Sequence, residues 1–265
     1  MAQPATALEG SVALVTGGGS GIGAAACLVF GMKGVRVAVL ERDRAAAEVT
    51  CEAIRKEGGE ALAVVADVAN NAEMKAAVLA VENAWGRLDI LIANAGINGV
   101  WAPVDEITAE EWDRVFDVNL KGTFLAVKHA TPLLKRRGGA IVVISSVNGT
   151  RIFSNAGATA YATTKAGQLA FARMIALELA KHGIRVNTIC PGAIETNIGA
   201  STEKRNLEKA REPAVFPAGS IPLTDGEAGS ALQVAQVIWF LCSPLASHVT
   251  GAEVFVDGGE SLLRG

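Results

Sequence analysis

Short apolar runs alternate with longer stretches of mixed polarity through the first half of the chain. Four apolar runs, at residues 11–15, 35–40, 61–65 and 88–92, are nearly continuous, which is typical of strands that are buried on both faces. Each run is followed by a stretch with helical periodicity, such as residues 44–56. This order predicts an α/β fold in which helices cover both faces of a parallel sheet.

The second half of the chain continues this pattern. Thr108 and Glu111 form a predicted capping box at the start of a helix that extends to about residue 135. Asn119 lies inside this helix between apolar residues, and we expect its amide either to brace a kink or to order water near an active site. Further strands are predicted at 140–144, 184–189 and 253–256, and further helices from Tyr161 to about residue 182 and over 231–241.

Residues 197–228 differ from the rest, because charges and turn residues replace the regular periodicity. The charges within 203–212 predict the exposed face of a helix. An irregular segment of this length inside a compact domain is a candidate substrate loop or lid. We expect a single domain over residues 1–265 that carries this loop.

The first strand leads directly into a glycine cluster. Gly17, Gly21 and Gly23 follow a G-x-x-x-G-x-G spacing between the strand and an alanine-rich helix. Glycines permit a sharp turn and let a pyrophosphate approach the amides at the helix N-terminus. This context favours a dinucleotide site over a simple turn. A second turn, Asn94-Ala95-Gly96, follows the fourth strand and is expected to lie against the same ligand.

The second strand ends at Glu41 and Arg42, which bear on the choice of cofactor. Glu41 lies twenty residues after Gly21, where an acidic side chain can accept hydrogen bonds from the adenosine ribose and repel a 2′-phosphate. An arginine at position 42 could instead pair with that phosphate. The glycine cluster contains no basic residue, so the pattern favours NAD and leaves NADP open. Asp67, after the third strand, is expected either to cap the next helix or to face the adenine.

Tyr161 and Lys165 lie four positions apart at the start of a predicted helix, so their side chains share one helical face. A nearby ammonium favours the phenolate, and we expect the pKa of Tyr161 to fall toward neutrality. Such a phenol can exchange a proton with an alcohol. Ser145 and Ser146 end the preceding strand, where a hydroxyl can bind a substrate oxygen.

Composition and charge narrow the function classes. The net charge of −3 and the pI of about 5.7 argue against nucleic acid as the main partner. Mean hydropathy is high at +0.33, but no apolar run is long enough for a membrane span, and no secretory signal pattern is present. The four cysteines lack metal-ligand spacing, which predicts buried free thiols in a cytoplasmic protein and no metal site.

In combination these motifs resemble those of the classical short-chain dehydrogenases/reductases, over residues 12–259. The motifs stand in the family's order: Thr16-Gly17-x-x-x-Gly21-x-Gly23, Asn94-Ala95-Gly96, Asn119, Ser146, Tyr161-x-x-x-Lys165 and Pro191-Gly192 with Thr196. The resemblance implies a single doubly wound Rossmann-type domain with a seven-stranded parallel sheet flanked by helices. It also implies a nicotinamide cofactor that lies across the carboxyl ends of the strands.

The resemblance further implies roles for individual residues. Tyr161 is the expected general acid/base, and Ser146 is expected to polarise the substrate oxygen. Lys165 is expected to lower the pKa of Tyr161 and to bind the nicotinamide ribose, while Asn119 holds a water of Lys165 in a proton relay. The expected cofactor contacts are Gly17, Gly19, Ser20, Gly21, Ile22, Gly23, Glu41, Arg42, Asp67 and Val68 (adenine), Asn94 (adenosine), Ala95, Gly96, Tyr161, Lys165, Pro191, Gly192, and Ile194 and Thr196 (nicotinamide carboxamide and phosphates).

The sequence therefore predicts an oxidoreductase that moves hydride between NAD(H) and a secondary alcohol or ketone. One alternative is an NADPH-dependent ketoreductase of the 3-oxoacyl carrier-protein type, for which residues 135–137 offer a small basic docking patch. Another is a dinucleotide-sensing protein without turnover. The substrate stays open, and Trp101, Phe153 and Phe216 are candidate pocket residues. The resemblance suggests a homotetramer. The loop at residues 148–159 is longer than the corresponding loop in the usual family pattern.

Overall fold

The computed structural model describes residues 8–212 and 221–264. Its strands are β1 (Val12–Thr16), β2 (Arg36–Glu41), β3 (Ala61–Val65), β4 (Ile90–Ala93), β5 (Gly99–Trp101), β6 (Gly139–Ile144), β7 (Ile184–Pro191), β8 (Ile194–Glu195), β9 (Thr202–Lys204), β10 (Gly229–Ser230) and β11 (Glu253–Val256). Its helices are α1 (Gly21–Met32), α2 (Arg44–Lys56), α3 (Asn71–Trp85), α4 (Ala109–Phe116), α5 (Gly122–Leu134), α6 (Thr159–Ala180), α7 (Leu207–Ala210), α8 (Ala231–Cys242) and α9 (Glu260–Arg264).

Seven strands form one parallel sheet in the order β3-β2-β1-β4-β6-β7-β11. This confirms the predicted seven-stranded, doubly wound architecture. The strand order reverses at β1, where Ala13 is paired with Val37 of β2 on one side and with Ile90 of β4 on the other. In open parallel sheets, ligands bind in the crevice beyond the carboxyl ends of the strands at such a reversal. The glycine cluster follows β1 and therefore lies at this crevice.

Each face of the sheet carries its own apolar core, which explains the nearly continuous apolar strands. On one face Leu14 and Leu91 pack with residues of α3, α5 and α6, including Met74. On the other face Val15 and Ile92 pack with α1, α2 and α8. Successive residues of a strand point to opposite faces, so most positions of a strand that is covered on both sides are apolar.

The predicted helix from residue 108 to residue 135 is interrupted. Thr108 and Glu111 form the predicted capping box of α4, but a π-helical turn, Asp117–Lys121, separates α4 from α5. Such a turn inserts extra backbone into a helix and re-aims the side chains within it. Here it places Asn119 in the protein interior, fully buried. The structure thus favours the predicted kink at this position.

The segment after residue 196 forms little helix. It contains a 3₁₀ turn (Asn197–Ser201), strand β9 and the single-turn helix α7. The expectation of a helix over 203–212 is wrong, because backbone pairing between β9 and β5 holds the first part extended. Phe216 lies outside the described residues, and the prediction of one domain over 1–265 stays a prediction. None of the described helices has both the length and the apolar character that a membrane span needs.

Candidate active site

The glycine cluster forms a sharp connection between β1 and α1. Gly17 and Gly21 have φ angles of 64° and 51°, in the left-handed region that favours glycine. A Cβ on Gly23 would lie 2.1 Å from the carbonyl oxygen of Gly17, so only glycine lets α1 pack this closely on the turn. The N-cap residue of α1, Ser20, makes no side-chain capping hydrogen bond. The first amides of α1 therefore remain available to an anion.

Asn94 braces this turn from the end of β4. Its side-chain Nδ2 donates hydrogen bonds to the carbonyl oxygens of Thr16 and Gly17, at 3.0 and 3.1 Å. The Thr16 hydroxyl accepts hydrogen bonds from the backbone amides of Asn94 and Ala95, at 3.0 and 3.1 Å. Because these contacts join the ends of neighbouring strands, they fix the geometry of the crevice at the reversal point. The sequence analysis gave Thr16 no role, although it opens the glycine motif.

Ser146, Tyr161 and Lys165 come together at the carboxyl end of β6. The Ser146 hydroxyl lies close enough to the Tyr161 hydroxyl to lower the pKa of Tyr161. Lys165 Nζ donates a hydrogen bond of 2.9 Å to the carbonyl oxygen of Ile144 and lies 5.5 Å from the centre of the Tyr161 ring. All three side chains are buried, with Lys165 only 3% exposed. The Ser145 hydroxyl donates instead to the backbone carbonyl oxygen of Lys165 at 2.8 Å.

Burial dominates the electrostatics of this group. It raises the pKa of Tyr161 above its ordinary value of 10, and the hydrogen bond from Ser146 only partly opposes the rise. Burial also lowers the pKa of Lys165 from 10.5 to about 8. The expectation that Lys165 brings the pKa of Tyr161 toward neutrality is therefore wrong for this structure. The reason is that burial removes water from the phenolate, and this effect exceeds the opposing effect of the Ser146 hydroxyl.

Asn119 connects the π turn to the neighbouring elements. Its Oδ1 accepts a hydrogen bond from the amide of Ile97 at 2.8 Å, and its Nδ2 donates to the Ile97 carbonyl oxygen and to the Thr164 hydroxyl. Its backbone carbonyl oxygen accepts from the side chains of Thr123 and Gln168. These bonds show a bracing role for Asn119, whereas its expected part in a water relay stays a prediction.

A protein family and individual known proteins match this chain. A family model described as enoyl-(acyl carrier protein) reductase matches residues 17–261. The chain is 40% identical over 253 residues to the 3-oxoacyl-(acyl-carrier-protein) reductase FabG of Thermotoga maritima, covering 95% of this chain and 98% of that protein. The chain belongs to the short-chain dehydrogenase/reductase family.

Solved structures of similar proteins agree with this assignment. A 3-ketoacyl-ACP reductase from Sinorhizobium meliloti matches with a TM-score of 0.91 and 50% identity, over 96% of this chain and 100% of that one. A 3-ketoacyl-(acyl-carrier-protein) reductase from Brucella melitensis complexed with NADH matches with a TM-score of 0.84 and 33% identity, over 96% and 100% of the two chains. This short-chain dehydrogenase/reductase therefore shares its fold with a protein that binds NADH.

The dinucleotide groove of this short-chain dehydrogenase/reductase is a cavity of about 280 Å³ at the strand reversal. The predicted residues that line it are Gly17, Ser20, Gly21, Ile22, Glu41, Arg42, Asp67, Val68, Asn94, Ala95, Gly96 and Thr196. The groove also contains residues that the sequence analysis did not assign, namely Leu40, Ala66, Ile97, Arg114, Val118, Asn197, Ile198 and Ser201. Uncapped helix amides, left-handed glycines and a carboxylate at the end of β2 together fit a nicotinamide dinucleotide.

Other predicted contacts of this short-chain dehydrogenase/reductase lie outside the groove. A Cβ on Gly19 would meet Ala46 at 2.8 Å, which indicates a packing role for this glycine as for Gly23. Pro191 ends β7, and Gly192 packs closely against Asp257. Ile194 lines a separate apolar cavity with residues such as Val237. Cofactor contact by Gly19, Gly23, Pro191, Gly192 and Ile194 stays a prediction.

The two acidic candidates at the adenosine end of this short-chain dehydrogenase/reductase have distinct surroundings. Glu41 accepts hydrogen bonds from the amides of Gly19 and Arg42, at 3.3 and 2.9 Å, and so its carboxylate is held at the groove. Asp67 accepts a hydrogen bond from the amide of Ala69 at 2.9 Å. The cap of α3 is Asn70, so the interpretation of Asp67 as a helix cap is wrong. Asp67 instead forms part of the groove wall.

Proposed function

We propose that this short-chain dehydrogenase/reductase transfers hydride between NAD(H) and a secondary alcohol or ketone, with Tyr161 as the general acid/base. The observation that carries the proposal is the meeting of the Ser146 and Tyr161 hydroxyls beside Lys165, at the same edge of the sheet as the dinucleotide groove. Two neighbouring hydroxyls can both contact one substrate oxygen. The reaction of an alcohol or carbonyl oxygen requires such a pair of hydroxyls.

Each side chain has a separate task in this proposal. Tyr161 gives its proton to the carbonyl oxygen during reduction and takes it back during oxidation. The Ser146 hydroxyl accepts a hydrogen bond from the amide of Asn148 at 3.2 Å, and with substrate bound its own proton stabilises negative charge on the substrate oxygen. Lys165 holds a positive charge at neutral pH and stabilises the phenolate that forms. The nicotinamide, when bound, supplies or accepts the hydride.

We infer NAD as the preferred cofactor from Glu41. Its carboxylate is fixed by two backbone amides at the groove, where it can accept hydrogen bonds from the adenosine ribose and repel a 2′-phosphate. Replacement of Glu41 by serine removes both effects, and we expect the ratio of kcat/KM for NADH over NADPH to fall at least about tenfold. Initial rates with both cofactors test this. A wild-type preference for NADPH would overturn the inference.

A second candidate is a 3-oxoacyl carrier-protein reductase that uses NADPH. Relatives named as such reductases resemble this chain closely. Arg42 and Arg114 both line the groove, and within the described ranges neither guanidinium has an ion-pair partner. Either guanidinium could therefore bind a 2′-phosphate. In the basic docking patch at residues 135–137, Arg136 is paired with Glu82 at 2.8 Å. Reduction of a 3-oxoacyl thioester with NADPH, at rates above those for simple ketones with NADH, would favour this candidate.

The central experiment is a panel of secondary alcohols, polyols, sugars and ketones assayed by absorbance of the reduced nicotinamide. The matched variant is Tyr161→Phe, which keeps the ring and removes the hydroxyl. We expect kcat to fall by about 10²–10⁴-fold while NADH affinity is retained. Tight NADH binding by wild type with no turnover over the whole panel would instead support a dinucleotide sensor.

We further propose a homotetramer, as the resemblance implies, and a cytoplasmic location. Exposed apolar side chains on the long helices support assembly, since Phe124 on α5 and Met174 and Leu177 on α6 are 45%, 76% and 85% exposed. The four buried free thiols, Cys27, Cys51, Cys190 and Cys242, are consistent with a reducing compartment. Light scattering of purified protein tests the tetramer, and a monomeric mass would contradict it.

A further inference from the structure

A short segment of chain crosses the mouth of the dinucleotide groove. Thr196, Asn197, Ile198 and Ser201 all line the groove. A Cβ on Gly21, in the phosphate turn, would lie 3.2 Å from the Thr196 side chain, so the segment touches the turn directly. A bound dinucleotide would lie between this segment and the sheet. Contacts that hold residues 197–212 in place therefore also control access to the groove.

The first set of contacts is made by backbone pairing and amide groups. Strands β9 and β5 pair in parallel, with Thr202 opposite Gly99. The side-chain Nδ2 of Asn98 donates to the Thr202 hydroxyl at 2.7 Å, and the Asn98 amide donates to the Ser201 hydroxyl at 3.0 Å. A two-stranded pairing of three residues is marginal by itself in water. Further contacts are needed to hold it.

Arg205, directly after β9, supplies them. Its guanidinium donates to both carboxylate oxygens of Glu111 at 2.9 Å each, and also to the backbone carbonyl oxygen of Glu106. Its backbone amide donates to the Trp101 carbonyl oxygen at 2.9 Å. The Glu106 carboxylate in turn accepts from Asn206 and Lys209, both at 2.7 Å. The segment is thus tied to the region in front of α4 by one compact group of charges.

The Arg205–Glu111 contact has the geometry of a strong ion pair. A fork of two parallel hydrogen bonds between guanidinium and carboxylate is stronger and more specific than a single contact. The two side chains are 32% and 22% exposed, which reduces screening by solvent relative to a fully exposed pair. The hydrogen bond from Arg205 lowers the pKa of Glu111 to about 2. The pair therefore keeps both charges at neutral pH.

We propose that Arg205 is a positioning residue, whose bidentate pair with Glu111 locks residues 197–212 across the groove and thereby limits the rate of cofactor release. The second half of this statement rests on the proposed function, because it assumes that NAD(H) occupies the groove. When the pair breaks, β9 keeps its short pairing with β5 and the hydrogen bonds of Asn98 but loses the ion pair that follows it, and Thr196 moves away from the phosphate turn more readily. In many enzymes the opening of a segment over the site, rather than the chemical step, limits turnover.

The test compares Arg205→Met, Glu111→Gln and the double variant with wild type. Glutamine keeps the capping box with Thr108, so Glu111→Gln removes the charge without removing the helix cap. The control is Arg55→Met, because Arg55 also bridges a carboxylate (Glu48) and a carbonyl oxygen (Ala61) but lies on α2, away from the segment. The first measurement is hydrogen exchange of the backbone amides of residues 198–204 in the cofactor-free protein. The second is the rate of NADH release by stopped-flow fluorescence.

We expect exchange in 198–204 to accelerate about threefold or more in both single variants, with no further increase in the double variant. NADH release should accelerate by a similar factor, while the control matches wild type in both measurements. Unchanged exchange in Arg205→Met, or additive effects in the double variant, would overturn the lock. Faster exchange with unchanged release would overturn its control of cofactor release. If neither the wild type nor any variant binds NADH, the proposed function fails. The hydrogen-exchange measurement then decides by itself whether Arg205 is a positioning residue.

Discussion

Replacement of Lys165 by methionine measures the cost of burying a cation in this active site. The Lys165 side chain is 3% exposed, and burial lowers its pKa from 10.5 to about 8. Methionine has a similar length and carries no charge, so it can fill the same space. The variant loses the hydrogen bond to the Ile144 carbonyl oxygen, at every pH alike. The informative quantity is therefore how the stability difference between the two proteins changes with pH.

The magnitude follows from the displaced pKa. Between about pH 8 and pH 10.5 the unfolded chain binds the Lys165 proton more tightly than the folded protein does, so wild-type stability rises with pH in this window. One pKa unit corresponds to about 1.4 kcal/mol, which makes the full cost of the buried cation below pH 8 about 3 kcal/mol. From about pH 7 to about pH 9.5, we expect the free energy of unfolding of wild type, relative to Lys165→Met, to rise by about 2 kcal/mol.

Urea unfolding followed by tryptophan fluorescence, at one protein concentration and several pH values, gives this difference. Lys181→Met removes an exposed lysine from the end of the same helix and supplies the comparison. The same series in a Tyr161→Phe background separates the titration of Lys165 from that of Tyr161. A wild-type-minus-variant difference that stays constant over the whole pH range would refute the reasoning, since it would mean that the folded protein holds this proton as tightly as the unfolded chain.

Three further predictions concern the same site. Gly23→Ala places a Cβ 2.1 Å from the Gly17 carbonyl oxygen, so it should lower the free energy of unfolding by about 3 kcal/mol or more and abolish NADH binding. The control is Gly199→Ala, which has open space around its Cβ and should behave as wild type in thermal unfolding. Thr164→Val removes the hydroxyl that accepts from Asn119 Nδ2, and should cost about 1–3 kcal/mol by urea unfolding; a loss near zero would contradict the bracing role of Asn119. Tyr161 is the only tyrosine, so ultraviolet titration of the cofactor-free protein reports its ionisation alone, with Tyr161→Phe as the blank. Tyrosinate should form only above the ordinary pKa of 10, and ionisation near neutral pH would contradict the effect of burial.

Features that depend on neighbouring residues could be predicted from the sequence. The strand runs are apolar because both faces of the sheet are covered, and the predicted bounds of α2 and β3 agree with the structure. The glycine turn, the capping box of Thr108 and Glu111, and the shared helical face of Tyr161 and Lys165 are also set within a few residues of chain. Local spacing determines such features whatever the rest of the fold does.

The tertiary structure decided what depends on residues far apart in sequence. Thr16 and Asn94 are 78 positions apart, and Arg205 and Glu111 are 94 apart, so their contacts exist only because the sheet brings those elements together. The pKa of Tyr161 was misjudged from spacing, because spacing reports the distance between the phenol and the ammonium but not the water that each loses on burial. The sequence by itself determined which groups are candidates for the chemistry, because residue type and local spacing are properties of the chain alone. Burial and long-range packing decided the direction in which the pKa values of Tyr161 and Lys165 move and which residues line the groove.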